Sequence, residues 1–239
     1  MSEHRTSDHR TDVHRLSPVG ELLRDRPPMV RVLPAFEADG APAEPGPLFV
    51  DWLVHALEAG VPDPHVMTLS TVDADGVPDA RVLVLRDVDA AAGGWVFAAE
   101  ADSPKGRQLA LSPMAALSVY WPLLGRQVRV RGAVEAALPA VSADEFRQRS
   151  PGARVAALVG RQSEPLGSLA AYDLAADEAQ LLLDADPGLV ATGHTLYTLH
   201  AHEVEFWQGD AARRHVRLRY TRTGLGTGRV AWTSTLLWP

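Results

Sequence analysis

Arg213, His215 and Arg217 fall at alternate positions, so in an extended strand their side chains share one face. A guanidinium at such a site can orient an anionic or electron-rich substrate, and an imidazole between two of them can hydrogen-bond to it or take its proton. The competing structural reading of His215 is a strand histidine bonded to backbone. Glu145 and Arg149 form a second constellation, four apart in the order that favours an ion pair on a helix. Ser142-Ala143-Asp144-Glu145 also fits a capping box, in which the glutamate reaches back to the Ser142 amide. Both local arrangements compete with a role for Glu145 against a bound ligand.

Residues 1 to about 30 are polar and charged with scattered prolines, too poor in apolar surface to offset the entropy of ordering, and are expected to form a disordered tail ahead of a single domain over 31–239. His4, His9 and His14 recur every five residues, which is not a ligand spacing, and no metal site is expected. After a proline-rich link, Leu48, Phe49, Trp52, Leu53, Ala56 and Leu57 make an apolar stripe that predicts an amphipathic helix ending near Gly60. The rhythm then changes to short β-branched runs: Val66 to Val72, a turn at Asp73-Ala74-Asp75-Gly76, and Arg81 to Leu85. Further strands are expected at Trp95–Ala98, Ala115–Tyr120, Val128–Glu135, Thr195–His200, Val204–Trp207, His215–Thr221 and Val230–Leu236. Helices are expected at Ser103–Leu111, where serine caps and Pro104 fits the first turn, at Ser142–Arg149 and at about Asp173–Asp184. Most strands follow one another without a helical crossover, so the sheet should be antiparallel and closed, mainly β with flanking helices.

Composition narrows the chemistry. With 239 residues and 46% apolar content the chain can bury an ordinary core. It has no cysteine, which excludes disulfides, thiolate nucleophiles and cysteine-ligated metals, and makes the cytosol the natural compartment. No apolar run approaches the roughly 20 residues of a membrane span. A formal charge of −7 opposes general attraction to nucleic acid, so any anion must sit in a local basic pocket.

Several segments carry a family likeness: Arg81 to Arg86 (RVLVLR), Ser103 to Leu109 (SPKGRQL), Tyr120 to Arg131 (YWPLLGRQVRVR), Gly160 to Pro165 (GRQSEP), Val204 to Gly209 (VEFWQG) and Arg213 to Arg217 (RRHVR). In their order and spacing they resemble the pyridoxine/pyridoxamine 5'-phosphate oxidase family, continuously from about Leu48 to Pro239. The resemblance implies an antiparallel split β-barrel, a homodimer, and FMN at the subunit interface. It places Arg81 and Lys105 at the FMN phosphate, the Val82, Leu83 and Val84 stretch beside them, Gln162, Ser163 and Gln127 as polar contacts, and Trp207 and Arg217 against the flavin. The family's Tyr-Thr pair in the cofactor site reads Ala98-Ala99 here, and an arginine before Lys105 reads Pro104.

The substrate side departs further. The lysine, tyrosine, arginine and serine that hold the substrate phosphate in these oxidases correspond to Arg86, Glu145, Arg149 and Ala153. A carboxylate facing a phosphate dianion is repulsive at short range. The Arg-x-x-Tyr segment that covers substrate in the vitamin enzyme is missing, since Met29 to Glu37 reads MVRVLPAFE. At the reactive end the family's Arg-x-His persists as Arg213 and His215. The resemblance thus implies an FMN-dependent oxidase that takes a hydride from a small cyclic or heteroaromatic amine or alcohol and passes electrons to oxygen, in specialised biosynthesis such as that of phenazines. The alternatives are pyridoxine/pyridoxamine 5'-phosphate oxidase itself, and a split-barrel protein that binds flavin, F420 or haem without oxidase chemistry.

Overall fold

The computed structural model describes residues 17–223 and 230–239. The histidines at 4, 9 and 14 and the first part of the expected tail lie outside the described residues. Within the remainder of that tail, Pro18–Arg24 forms a short helix, α1, a correction to the disorder expected up to residue 30. The Ser17 hydroxyl accepts from the Gly20 amide, proline opens the first turn, and Glu21 and Arg24 sit at the ends that suit the helix dipole. No α1 residue is buried, so capping rather than packing specifies it.

Helix α2 spans Pro45–Glu58 and buries Leu48, Phe49, Trp52 and Ala56. Leu57, expected in the same stripe, is exposed, because it lies about two and a half turns from Leu48 and so faces the opposite way. The buried face packs on a core that holds Trp95, Trp121, Phe97 and Phe206 of the barrel strands together with Tyr220. Burial of each such ring stabilises the fold by about 1.5–3 kcal/mol. Trp52 meets Phe206 edge-on at 5.2 Å, and Phe49 meets Trp95 at 5.7 Å, which fixes α2 across the barrel end.

The barrel strands are β1 (Val66–Val72), β2 (Pro78–Asp89), β3 (Gly94–Glu100), β4 (Met114–Trp121), β5 (Arg126–Ala136) and β6 (His194–Gln208). They run antiparallel in the order β3-β2-β1-β4-β5-β6, and β6 pairs back onto β3 to close the ring. Alternating burial along β5 shows why: Val128 and Val130 point into the core while Arg129 and Arg131 point out. Strand β6 is continuous where two strands, Thr195–His200 and Val204–Trp207, were expected. Its polar interruption is a bulge rather than a turn, since Arg131 pairs with Glu203 and Gly132 with Ala201, leaving His202 as the extra residue. Before the bulge β6 pairs with β3, and after it with β7 (Val216–Thr223), which carries β8 (Ala231–Leu236) on its far edge.

Helices α3 (Pro104–Leu111), α4 (Pro139–Arg147), α5 (Pro151–Val159) and α6 (Leu169–Ala185) fill the connections. Helix α5 was not anticipated, because Pro151-Gly152 reads as a break, although proline is well suited to a first helical position. Helix α4 begins at Pro139, so Ser142 lies inside it and its hydroxyl accepts from the Leu196 amide at 3.1 Å. The expected capping box is therefore absent, and Glu145 is free to point elsewhere.

Candidate active site

The barrel is open along part of one edge. Residues 78–84 of β2 pair with β1, whereas β2 joins β3 only from Leu85 onward, and Ala98 to Glu100 of β3 pair with β6 alone. Between these diverging edges lies a cleft of about 1100 Å³, roofed by the start of α3, by α5 and by the loop 160–167. Arg81, Val82, Leu83, Val84, Arg86, Lys105, Arg149, Ala153, Gln162 and Ser163 all line it, as do Ala98 and Ala99. Ten of the residues singled out in the sequence are thus brought together by one opening in the sheet.

Arg81 is held from three sides. Its guanidinium donates to the Thr71 hydroxyl at 2.5 Å and to Gln108 Oε1 at 3.3 Å, and pairs with Asp79. The Thr71 hydroxyl donates in turn to Gln108 Oε1 at 2.5 Å. Lys105, in the first turn of α3, donates to Gln162 Oε1 and to the Ser103 hydroxyl at 3.3 Å. Gly106 allows α3 to sit this close, since a Cβ there would lie 2.2 Å from the Ala101 carbonyl oxygen. Burial pushes the Lys105 ammonium below its ordinary pKa, and the charge of Arg81 pushes it further. Two fixed cations that repel each other beside exposed strand backbone form a cradle suited to a phosphate. The loop opposite is held in left-handed backbone at Arg161 (φ 55°) and Ser163 (φ 71°), which directs Gln162 towards Lys105.

At the other end of the cleft, Arg86 is the extra residue of a β2 bulge, because Leu85 pairs with Phe97 and Asp87 with Val96. A bulge re-aims its side chain, and the Arg86 guanidinium meets the Glu145 carboxylate at 3.6 Å. Arg149 reaches the same carboxylate oxygen at 3.6 Å. The other oxygen takes a 2.5 Å hydrogen bond from His194 Nε2. His194 opens β6 and its side chain is 1% exposed. Burial holds its imidazole below the ordinary histidine pKa, against the opposing pull of Glu145, so the neutral ring donates through Nε2. Arg149 is likewise desolvated and also faces Glu100, whose carboxyl burial pushes up.

Glu145 adjoins the cleft through Arg86, Arg149 and His194 without lining it, and five further expected residues lie away from it: Gln127, Trp207, Arg213, His215 and Arg217. They form a second group where β5, β6 and β7 lie side by side, with Gln127 opposite Trp207 and Trp207 opposite Arg217. Three strand spacings separate β2 from β5, roughly 14 Å. Arg217 is held by a 2.8 Å bond to Glu205, which also accepts from Arg129 at 2.7 Å, and this bond raises the Arg217 pKa. The Trp207 ring lies 4.8 Å from His215. His215 Nδ1 accepts from the Asp210 amide at 3.1 Å, which requires the proton of the neutral ring on Nε2. Arg213 stands exposed on the same turn, in left-handed backbone at φ 65°.

The residues that position this machinery were largely invisible in the sequence. Thr71 and Gln108 are buried polar side chains whose only sequence signal is that Thr71 occupies an inward position of β1. His194 and Glu205 had none, because each partner lies far away along the chain.

The pyridoxamine 5'-phosphate oxidase family is matched over residues 53–183, and the pyridoxine 5'-phosphate oxidase C-terminal dimerisation region over residues 194–239. A protein of Nitrobacter winogradskyi named pyridoxine/pyridoxamine 5'-phosphate oxidase is 38% identical over 198 residues, covering 82% of this chain and 90% of its own. One of the same name from Burkholderia orbicola (strain MC0-3) is 40% identical over 205 residues, covering 85% and 92%. The crystal structure of PhzG from Burkholderia lata in complex with tetrahydrophenazine-1-carboxylic acid superposes with a TM-score of 0.77 at 28% identity, over 87% of this chain and 99% of that one. An FMN-binding protein of Nostoc punctiforme shares the fold, at a TM-score of 0.64 and 21% identity, over 79% and 96%.

Proposed function

Since the chain belongs to the pyridoxamine 5'-phosphate oxidase family of FMN-dependent oxidoreductases, we propose that it oxidises a small cyclic or heteroaromatic amine or alcohol that carries no phosphate, in a specialised biosynthetic route of the phenazine kind. The observation that carries the substrate half of this reading is the Glu145 carboxylate, set between Arg86 and Arg149. A phosphate dianion entering between those guanidinia would meet a carboxylate that already occupies them. The likeness to PhzG, whose bound ligand is a carboxylic acid, supports the same reading.

We assign the FMN phosphate to Arg81 and Lys105, with Gln162 and Ser163 beside it and the Val82 to Val84 backbone along the open edge. Bound there, FMN supplies a two-electron acceptor that oxygen reoxidises, releasing hydrogen peroxide. The second group belongs to the dimerisation region apart from Gln127, which supports a homodimer in which each site takes one group from each chain. Trp207 and Arg217 then face the flavin of the partner, and Arg213 orients the substrate. With Nδ1 committed to the Asp210 amide, His215 serves the substrate as a hydrogen-bond donor through Nε2 rather than as its base.

A second reading rests on the relatives named pyridoxine/pyridoxamine 5'-phosphate oxidase, at 38–40% identity: the vitamin reaction with a rearranged phosphate site. Anaerobic visible spectra of the FMN-loaded protein separate the two. A flavin band that persists with pyridoxine 5'-phosphate and bleaches with a dihydro-heteroaromatic carboxylic acid is the expected result. Bleaching by pyridoxine 5'-phosphate would overturn the proposal in favour of the vitamin enzyme.

A further inference from the structure

We infer that the Glu145–His194 pair sets substrate specificity by selecting a singly charged carboxylate at the Arg86–Arg149 end of the cleft and rejecting a phosphate monoester. This rests on the oxidase reading above and names the group that its substrate presents. Glu145 is more than a side chain that happens to lie near two arginines. Its hydrogen-bonded partner is a buried imidazole on another element, so the carboxylate is fixed in place before any ligand arrives. The Phe146 ring packs edge-on against His194 at 5.2 Å and holds the imidazole from the other side.

The charges decide which anion fits. Within one chain the cleft presents five cations, Arg81, Arg86, Lys105, Arg149 and Arg161, against four carboxylates, Asp79, Glu100, Glu164 and the adjoining Glu145. His194 adds no charge while burial keeps it neutral. The phosphate of FMN draws on Arg81 and Lys105, which leaves Arg86 and Arg149 for the substrate, both shared with Glu145. Arg149 also faces Glu100. Two guanidinia offset by the fixed Glu145 carboxylate retain at most about one positive charge, which Glu100 beside Arg149 reduces further, and this balance suits a singly charged carboxylate better than a dianion. Planar guanidinia also suit the two oxygens of a carboxylate.

His194 is a positioning residue in this scheme and Glu145 the specificity determinant. The test uses the FMN-loaded protein and two matched probes, benzoate and phenyl phosphate, each titrated while the flavin difference spectrum is recorded. Wild type should bind benzoate the more tightly. Glu145→Gln should raise phenyl phosphate affinity about tenfold or more and change benzoate far less. His194→Phe, which keeps the ring and loses the donor, should shift the ratio the same way, and His194→Gln, which keeps a donor, should restore it. Retained FMN absorbance reports that each variant is folded. An unchanged ratio in Glu145→Gln, or no benzoate binding by wild type, overturns the inference while the bleaching experiment still decides the oxidase reading. Bleaching of wild type by pyridoxine 5'-phosphate overturns both.

Discussion

The division of the site into two groups of residues makes a quantitative prediction about mixed dimers. Arg81→Ala/Lys105→Ala removes both cations of the cradle, and Gln127→Ala/Trp207→Ala removes contacts from the second group. Each charge-assisted bond to a phosphate is worth about 1.5–3 kcal/mol, so losing two should weaken FMN binding by roughly 10²- to 10⁴-fold. The second variant should also lose FMN, through the missing ring face. Neither homodimer then holds the cofactor. In a dimer of one chain of each kind, one site combines both damaged groups and the other combines both intact ones. Random pairing makes half of all dimers mixed, and the mixture should therefore bind about one quarter of the wild-type FMN. Co-expression with two different affinity tags isolates the mixed dimer, which should carry half the wild-type FMN by absorbance. A mixed dimer devoid of FMN would refute a site shared between chains, as would either homodimer retaining a full complement.

Three further outcomes follow from the geometry. Thr71 is 2% exposed, and Thr71→Val strands the partners of its hydroxyl, which both donates to Gln108 and accepts from Arg81. It should cost about 1–3 kcal/mol, seen as a lower Tm, together with weaker FMN binding, and an unchanged Tm would count against the network. Glu205→Gln leaves Arg129 and Arg217 without their shared carboxylate. Because both arginines are partly solvated, the loss should be about 1–3 kcal/mol, readable as a shifted urea midpoint with little change in slope. His194 has a folded pKa below its unfolded value of 6.5, so the folded chain binds fewer protons there. Stability from this group is complete above about pH 6.5 and declines as pH falls through that value towards the folded pKa. His194→Gln should flatten this part of the curve in urea unfolding measured from neutral to acidic pH. Superimposable curves for the two proteins would exclude His194 as the source.

Much of the cleft lining was legible because it is local. Arg81 to Arg86, Lys105 and Gln162 lie in short segments that reach the cleft, whereas the expected alternation of Arg213, His215 and Arg217 along one strand face does not form, since Arg213 sits on a turn at φ 65° and β7 begins at Val216. The antiparallel sheet followed from strands that succeed one another without helical crossovers, whereas the β1–β4 and β3–β6 pairings that close it join strands distant in sequence. Interpretations of single residues fared less well where two local rules applied to the same letters. Ser142 and Glu145 spelled a capping box, yet the helix starts at Pro139 and the glutamate turns to His194. Leu57 matched an apolar stripe and faces solvent. The polar break before Val204 read as the end of a strand and is a bulge, because hydrogen bonding to β5 on one side carries the backbone through it.

Only the tertiary structure decided which residues share a site. The opening between β2 and β3 exists because their edges diverge on the N-terminal side of Leu85, and divergence is a property of the closed sheet that no stretch of sequence contains. The same sheet set Gln127, Trp207 and Arg217 on β5, β6 and β7, away from Arg81 on β2, so residues that the sequence suggested as one constellation are two groups in each chain. The contact between Glu145 and His194 joins positions 49 apart in the chain. Sequence by itself determined the types of group available and the elements that carry them, because propensity, capping and periodicity act over a few residues. Distances and charge balance at the site were determined by packing, because electrostatic and hydrogen-bonded partners are chosen by proximity in space.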